Sequence, residues 1–337
     1  MLSDPIELYS YPEAWVERAK LQGYDVDAMI KSGLYILTPD GWLRRGITTG
    51  TTASAAVAAA VASRRGGVVE HVEVRTPVGL KVSVRAHAEG GVALVRKFAG
   101  DHEGDVTNGI VFRAKLRDDN EGVIFGRGIG TWLDGRKAVS ASALRQISEN
   151  FEAFAAEYGY EGSVEVEAVG GEAVAERTKN EEVGVFGGIS VLGTTGFVEP
   201  WCERLLRAKI EIARQYPKIA VTTGRSSWKF ALGRLRGYQP FVFGVHIEDV
   251  LRAYEGAVVI VGKPGLLRRW AGCRDAAGVL KKARSINDGV EEVIVVGGLD
   301  APRRGRWNMQ GADHEACRRD NKASGRNFRE QKGARAR

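Results

Sequence analysis

Several stretches of the chain concentrate side chains able to hold anions, move protons or let a backbone approach a ligand. The densest is Gly184-Val185-Phe186-Gly187-Gly188-Ile189-Ser190-Val191-Leu192-Gly193-Thr194-Thr195-Gly196-Phe197-Val198-Glu199-Pro200. Glycine lets a backbone come close to a ligand, and the interleaved hydroxyl and N–H groups would supply donors, more of them than packing alone asks for. A second stretch, Arg44-Arg45-Gly46-Ile47-Thr48-Thr49-Gly50-Thr51-Thr52, lies directly before an alanine-rich run. Threonines there can cap a helix, or they can present donors to an anion at its positive end. Arg44 and Arg45 add bidentate donors for carboxylates, with a solvated surface pair as the plain alternative.

Residues 100–109 place Asp101, Glu103 and Asp105 beside His102. Such crowding can raise a carboxyl pKa and make a general base, and it is equally the composition of an exposed turn. Gly126-Arg127-Gly128-Ile129-Gly130 follows the apolar Val123-Ile124-Phe125, as a cofactor loop follows a strand. No helix comes directly after it, because Trp132-Leu133-Asp134-Gly135 intervenes, and a packing turn is the commoner reading. Gly188 to Gly193 is one residue too long for a nucleophile elbow, and Gly256 to Lys263 has the wrong length and no following Ser or Thr for a phosphate loop. Cys202, Cys273 and Cys317 are widely spaced and none of the 5 histidines sits at ligand spacing from another, so no protein-bound metal is expected.

The elements that must position these groups follow from periodicity. Residues 1–40 read as an appended helical segment, with helices over 13–21 and 26–32. Short β-branched alternations at 68–75, 80–86 and 92–96, separated by Pro77-Val78-Gly79 and Gly90-Gly91, predict antiparallel strands. The small-residue run 51–63 and the amphipathic run 140–158 predict helices, so residues 41–200 form an α+β domain. Beyond Pro200 helices and strands alternate: helices over 201–215, 227–235, 247–254 and 276–284, strands over 218–221, 241–243, 257–261 and 292–296. That rhythm predicts an α/β domain with a mainly parallel sheet over 201–300, whose ligands lie at the carboxyl ends of its strands. Two of those ends carry Thr222-Thr223-Gly224-Arg225 and Gly262-Lys263-Pro264-Gly265.

The formal net charge of +7 is not spread evenly. Residues 303–337 hold 11 Lys or Arg against 4 Asp or Glu, leaving 38 of each sign in the first 302 residues. A neutral body with a basic tail, poor in aromatics, argues against nucleic acid as a primary partner and for a solvated, disordered tail over 301–337. No run approaches the roughly 20 apolar residues of a membrane span, and the first ten residues lack a secretory pattern, so a cytoplasmic protein is expected.

Residues 45–53, 100–109, 171–200 and 222–229 resemble, in order and spacing, the signature blocks of the cobalt-precorrin-5B C1-methyltransferase (CbiD) family. Thr194-Thr195-Gly196 at the end of the glycine-rich stretch is the most specific of these, and the resemblance spans about residues 40–270. Where the family usually has an Asn-Thr-His-Ser-like block, Gly272-Cys273-Arg274-Asp275 stands instead. The resemblance implies methyl transfer from S-adenosyl-L-methionine to ring carbon C1 of cobalt-precorrin-5B, giving cobalt-precorrin-6A in anaerobic cobalamin biosynthesis, with cobalt arriving in the substrate. The alternative in another class is a non-catalytic corrinoid-binding or scaffold protein.

On this resemblance Gly187, Gly188, Ser190, Gly193, Thr194, Thr195 and Gly196, with Thr222, Thr223 and Gly224, are expected to line an interdomain cleft and hold the methyl donor. The anionic corrinoid is expected to meet Arg44, Arg45, Thr48, Thr49, Gly50, Thr51, Arg127, Lys179, Arg225 and Lys229. Asp101 or Asp105 is expected to act as base or to balance charge on the ring. A homo-oligomer is compatible with all of this.

Overall fold

A computed structural model describes residues 1–119, 122–273 and 275–297; the tail expected over 301–337 lies outside the described residues. Contacts divide the chain into two compact units, one of Met1–Leu205 and one beginning at Leu206. The first unit includes the 40 N-terminal residues read above as an extension.

Pro12, with a φ of −56°, turns the chain into α1 (Glu13–Leu21), and Asp25 caps α2 (Val26–Lys31) by accepting from the Ala28 amide at 3.0 Å. A hairpin follows, β1 (Tyr35–Thr38) antiparallel to β2 (Gly41–Arg44). β3 (Gly46–Ile47) leads into α3 (Thr49–Ala62), capped by Thr48, which accepts from the Thr51 amide. Residues 49–61 of α3 are all buried, which places this helix in the middle of the unit. Its Gly, Ala, Ser and Thr side chains are small enough for neighbours to close on every side.

Those neighbours are a six-stranded sheet and a second helix. The strands are β4 (Val69–Arg75), β5 (Lys81–Glu89), β6 (Val92–Arg96), β7 (Val111–Arg117) and β8 (Gly122–Phe125); after the short β9 (Thr131–Trp132) and α4 (Ala141–Tyr158) comes β10 (Ser163–Val169). Their order is β4-β5-β6-β7-β10-β8, antiparallel except for β10 against β8. β5 alternates buried and exposed residues along its whole length, so one sheet face meets α3 and the other meets solvent. After α5 (Gly171–Ala175) and a 3-10 turn at Glu181–Val183, β11 (Val185–Phe186) pairs with β9, and β12 (Phe197–Val198) pairs with β3.

One side chain ties the N-terminal segment to both ends of this arrangement. Arg45 is fully buried; its Nη2 donates to Asp4 at 2.8 Å, its Nε to Glu199 at 2.9 Å and its Nη1 to the Gly33 carbonyl at 3.1 Å. Asp4 also accepts from the amides of Ile6 and Glu7 and from the Tyr11 hydroxyl. Burial alone raises the Asp4 pKa, but the Arg45 charge and these donors outweigh it and hold the carboxyl below its ordinary range.

The second unit follows α6 (Glu203–Ala213) with β13 (Lys218–Thr222), α7 (Arg225–Arg234), β14 (Gln239–Val242), α8 (Ile247–Ala253), β15 (Ala257–Gly262), α9 (Pro264–Ala271), α10 (Ala276–Arg284) and β16 (Val290–Val295). All four strands are parallel, in the order β14-β13-β15-β16, so the direction of winding reverses between β13 and β15. The chain is thus an α+β domain followed by an α/β domain with a parallel sheet. Two expectations shift: the helix placed over 227–235 starts at Arg225, and α9 occupies a stretch read as a glycine loop. Among the described residues no helix is long and apolar enough to cross a membrane.

Removing one partner from a buried ion pair leaves an uncompensated charge. Arg45→Met is therefore expected to lower the unfolding free energy by about 3–5 kcal/mol in urea titration at neutral pH. The Asp4 contribution is present above the unfolded-state pKa of roughly 3.9 and is lost as pH falls through the lower folded-state value. Stability curves of wild type and Asp4→Asn should accordingly converge on acidification below about pH 4; a constant gap across pH 3–7 would contradict this assignment.

Candidate functional site

Three sequence motifs of the first unit meet at the N-terminal end of α3. The Thr48 amide donates to the Gly196 carbonyl at 3.0 Å, and the Gly50 amide to the Leu192 carbonyl at 2.9 Å. The Leu192 amide returns a bond to the Thr49 hydroxyl at 2.8 Å, while the Thr51 hydroxyl donates to the Gly196 carbonyl at 2.9 Å. On the other side of β3, the Ile47 amide donates to the Phe98 carbonyl at 2.8 Å, and the Arg44 amide to an Asp101 carboxylate oxygen at 2.7 Å. The exposed Arg44 guanidinium lies 4.3 Å from the centre of the Phe98 ring.

At its beginning the glycine-rich stretch meets the fourth motif. The Ile189 amide donates to the Gly128 carbonyl and the Gly130 amide to the Ile189 carbonyl, both at 2.9 Å. Asn180 braces it, donating to the Gly188 carbonyl at 3.0 Å and accepting from Ser190 at 3.3 Å. A Cβ at Gly188 would stand 2.3 Å from the Gly128 oxygen, and one at Gly193 would stand 2.5 Å from the Thr48 hydroxyl. These two glycines, and Gly196 against Thr76, serve close packing of chain on chain. The Thr195 hydroxyl is buried and bonded to the Phe197 backbone. Of the residues expected here to hold a methyl donor, Gly187 and Thr194 are the ones left exposed.

The cations and acids sort in the same way. Arg45 is enclosed by Asp4, Glu199 and Gly33, so its donors are directed into the protein and not toward a ligand. Thr49, Gly50 and Thr51 are buried in the seam with the glycine-rich stretch, and Thr48 is half-buried as its cap. Arg44, Arg127, Lys179 and Lys229 are exposed, while Arg225 is half-buried, 4.1 Å from the Trp228 ring centre. Asp105 pairs with the buried Lys97 and accepts from both the amide and hydroxyl of Thr107. Burial pushes the Asp105 carboxyl upward, but Lys97 and Thr107 outweigh it and hold the group ionised, with no accessible proton to exchange near neutrality. Asp101 stays exposed, with one carboxylate oxygen on the Arg44 amide.

In the second unit the carboxyl ends of β13 and β15 come together. Thr222 is fully buried and donates to the Phe241 carbonyl at 2.9 Å. The Thr223 amide donates to the Val261 carbonyl at 3.1 Å, and the Lys263 amide donates to the Thr223 hydroxyl at 3.1 Å. Gly224 and Lys263 head α7 and α9, and no side chain caps either helix. Among the described residues no group of three or more His, Cys, Asp or Glu could hold a metal ion.

A cobalt-precorrin-5B C(1)-methyltransferase from Archaeoglobus fulgidus is 52% identical over 314 residues, covering 93% of this chain and 100% of its own length. This chain belongs to the CbiD family. The family model described as CbiD matches residues 38–200. A protein of the same methyltransferase name from Methanococcoides burtonii is 36% identical over 277 residues, covering 79% of this chain and 81% of its own. The crystal structure of the cobalamin biosynthesis protein cbiD from Archaeoglobus fulgidus superimposes with a TM-score of 0.80 at 53% identity, over 88% of this chain and 99% of that one. The three motifs that meet at α3 fall inside the residues matched by the CbiD model.

The Lys97 pair gives Asp105 a structural part that can be separated from chemistry. Asp105→Ala strands a buried ammonium and is expected to cost about 3 kcal/mol of stability by chemical denaturation. The fraction that remains folded should keep its turnover number, whereas a loss of turnover of a hundredfold or more in folded protein, on the order of a missing general base, would return Asp105 to catalysis.

Proposed function

We propose that this chain transfers a methyl group from S-adenosyl-L-methionine to ring carbon C1 of cobalt-precorrin-5B, giving cobalt-precorrin-6A, as a cytoplasmic enzyme. The observation that carries this reading is the match to a cobalt-precorrin-5B C(1)-methyltransferase over that protein's entire length. Transfer to carbon is an in-line displacement, in which the sulfonium supplies both the methyl group and a neutral leaving group. The protein's task is to hold the reacting atoms in line, so positioning dominates over covalent catalysis.

Thr222, Thr223, Gly224 and Arg225 are the residues proposed to hold the donor. Open α/β sheets bind ligands beyond the carboxyl ends of their strands where the winding reverses, which here is between β13 and β15. Gly224 supports the assignment. A Cβ there would meet nothing within 4 Å, and its φ of 168° is extended backbone that any residue adopts. Neither packing nor conformation asks for glycine, so the space at the head of α7 fits an approaching ligand. The Thr222 and Thr223 hydroxyls brace the loop through the Phe241 carbonyl and the Lys263 amide.

The corrinoid's carboxylates call for exposed cations around a flat apolar ring, and Arg44, Arg127 and Lys179 of the first unit are proposed for that part. Asp101 is proposed to take a proton or balance charge at the ring, since its carboxylate is exposed where that of Asp105 is spent on Lys97.

Anaerobic incubation with cobalt-precorrin-5B and methyl-labelled S-adenosyl-L-methionine should add one labelled methyl to the macrocycle, read by mass spectrometry. Bound corrinoid without transfer would favour a binding protein instead. Gly224→Val should raise the donor KM about tenfold or more with an unchanged melting temperature; an unaltered donor KM would move the donor site elsewhere.

A further inference from the structure

The parallel sheet of the second unit ends in three neighbouring loops, at residues 222–225, 243–246 and 262–265, which follow β13, β14 and β15. Hydrogen bonds tie the outer two to the middle one. The Phe243 and Gly244 amides both donate to the Thr222 carbonyl, at 3.0 and 3.2 Å, and the Lys263 amide donates to the Thr223 hydroxyl at 3.1 Å. Glycine at 262 makes the second contact possible, because a Cβ there would stand 2.7 Å from the Thr223 methyl group. Pro264, at the start of α9, holds Lys263 in extended backbone, with φ −75° and ψ 144°, so its conformation is fixed from both sides.

The basic groups of these loops differ in what occupies them. Arg225 lies over the Trp228 ring, 4.1 Å from its centre, and His246 meets Asp249 at 3.1 Å. Lys263 is exposed, and its ammonium has no side-chain partner among the described residues. Residues 222–225, 243–246 and 262–265 include no Asp or Glu, so an anion brought there meets no carboxylate from the loops themselves. Space is left on both sides of the contact between Thr223 and Lys263. A Cβ at Gly224 or at Gly265 would meet nothing within 4 Å.

We propose that Lys263 is the specificity-determining residue for the amino-acid end of the methyl donor, pairing with its α-carboxylate. This rests on the donor site proposed above and names the residue that orients the donor in it. S-adenosyl-L-methionine is positive at the sulfur and at the α-amino group and negative only at the carboxylate. A lysine attracts the last and repels the others, so Lys263 draws the carboxylate to the end of β15 and turns the sulfonium away from it. The direction matters because in-line transfer requires the sulfur–methyl bond to point at the ring carbon. The flexible four-carbon stem of lysine lets the charge follow a donor entering beside Gly224.

The test is a calorimetric titration of the purified full-length protein with two probes: S-adenosylhomocysteine, which has the carboxylate, and methylthioadenosine, which lacks the amino-acid end. Lys263→Met should raise the Kd of S-adenosylhomocysteine about tenfold and leave that of methylthioadenosine unchanged, and Lys263→Arg should keep most of the affinity. In turnover, Lys263→Met should raise the donor KM by a like factor while the corrinoid KM holds. A merely structural role would weaken both probes together, and that result would overturn the proposal. Unchanged binding of both probes in Lys263→Met would also overturn it; if wild type methylates and Gly224→Val raises the donor KM, the donor site and the function still stand. Wild type that binds neither probe and does not methylate the corrinoid would overturn the function reading and this one together.

Discussion

The buried guanidinium of Arg45 is the constraint on which the first unit depends. Its three nitrogens reach residues 41 positions before it, 12 before it and 154 after it in sequence. Desolvating such a charge costs several kcal/mol, and only complete pairing offsets that. Asp4 and Glu199 supply the opposite charges and Gly33 the remaining acceptor, so the N-terminal segment and the end of the glycine-rich stretch must both be in place. Because Arg45 sits between β2 and β3, the same fixation sets the direction in which β3 delivers the chain to Thr48 and α3.

From that point the glycines and threonines form a seam between two stretches of backbone. Hydroxyls of Thr49 and Thr51 bond to carbonyls around Leu192 and Gly196, and glycines at 188 and 193 let the two backbones touch. A hydrogen bond made inside the protein is one not offered to a ligand, so the motif's donors are largely internal. Of its glycine and threonine positions, Gly187 and Thr194 stay exposed. A rigid seam suits a reaction in which alignment of the reacting groups matters more than proton transfer.

Much of this was legible in the sequence where the physics is local. Alternation exposed β4, β5 and β6, the small-residue run exposed α3, and the helix–strand rhythm exposed the parallel sheet. β7 carried the same signal, Phe112, Ala114 and Leu116 alternating with Arg113, Lys115 and Arg117, but its charges obscured a strand buried on one face. α9 was hidden by the glycines around Pro264, although proline at the first helical position is itself a start signal. Asp4 had no local mark at all. Its role exists only through a partner brought from far along the chain, and neither periodicity nor spacing reports such a pairing.

The same limit leaves the partners of the richest motif's donors open in the sequence. Glycine and threonine next to each other look alike in sequence whether their donors meet a ligand or another strand of the same chain, because the distinction lies in what stands opposite. Here Gly188 faces Gly128 and Gly193 faces Thr48, whereas Gly224 faces open space. That contrast turns an ambiguous pattern into two physical situations. Glycine is required by the protein itself at 188 and 193, and at 224 it is left unexplained by any of the described residues.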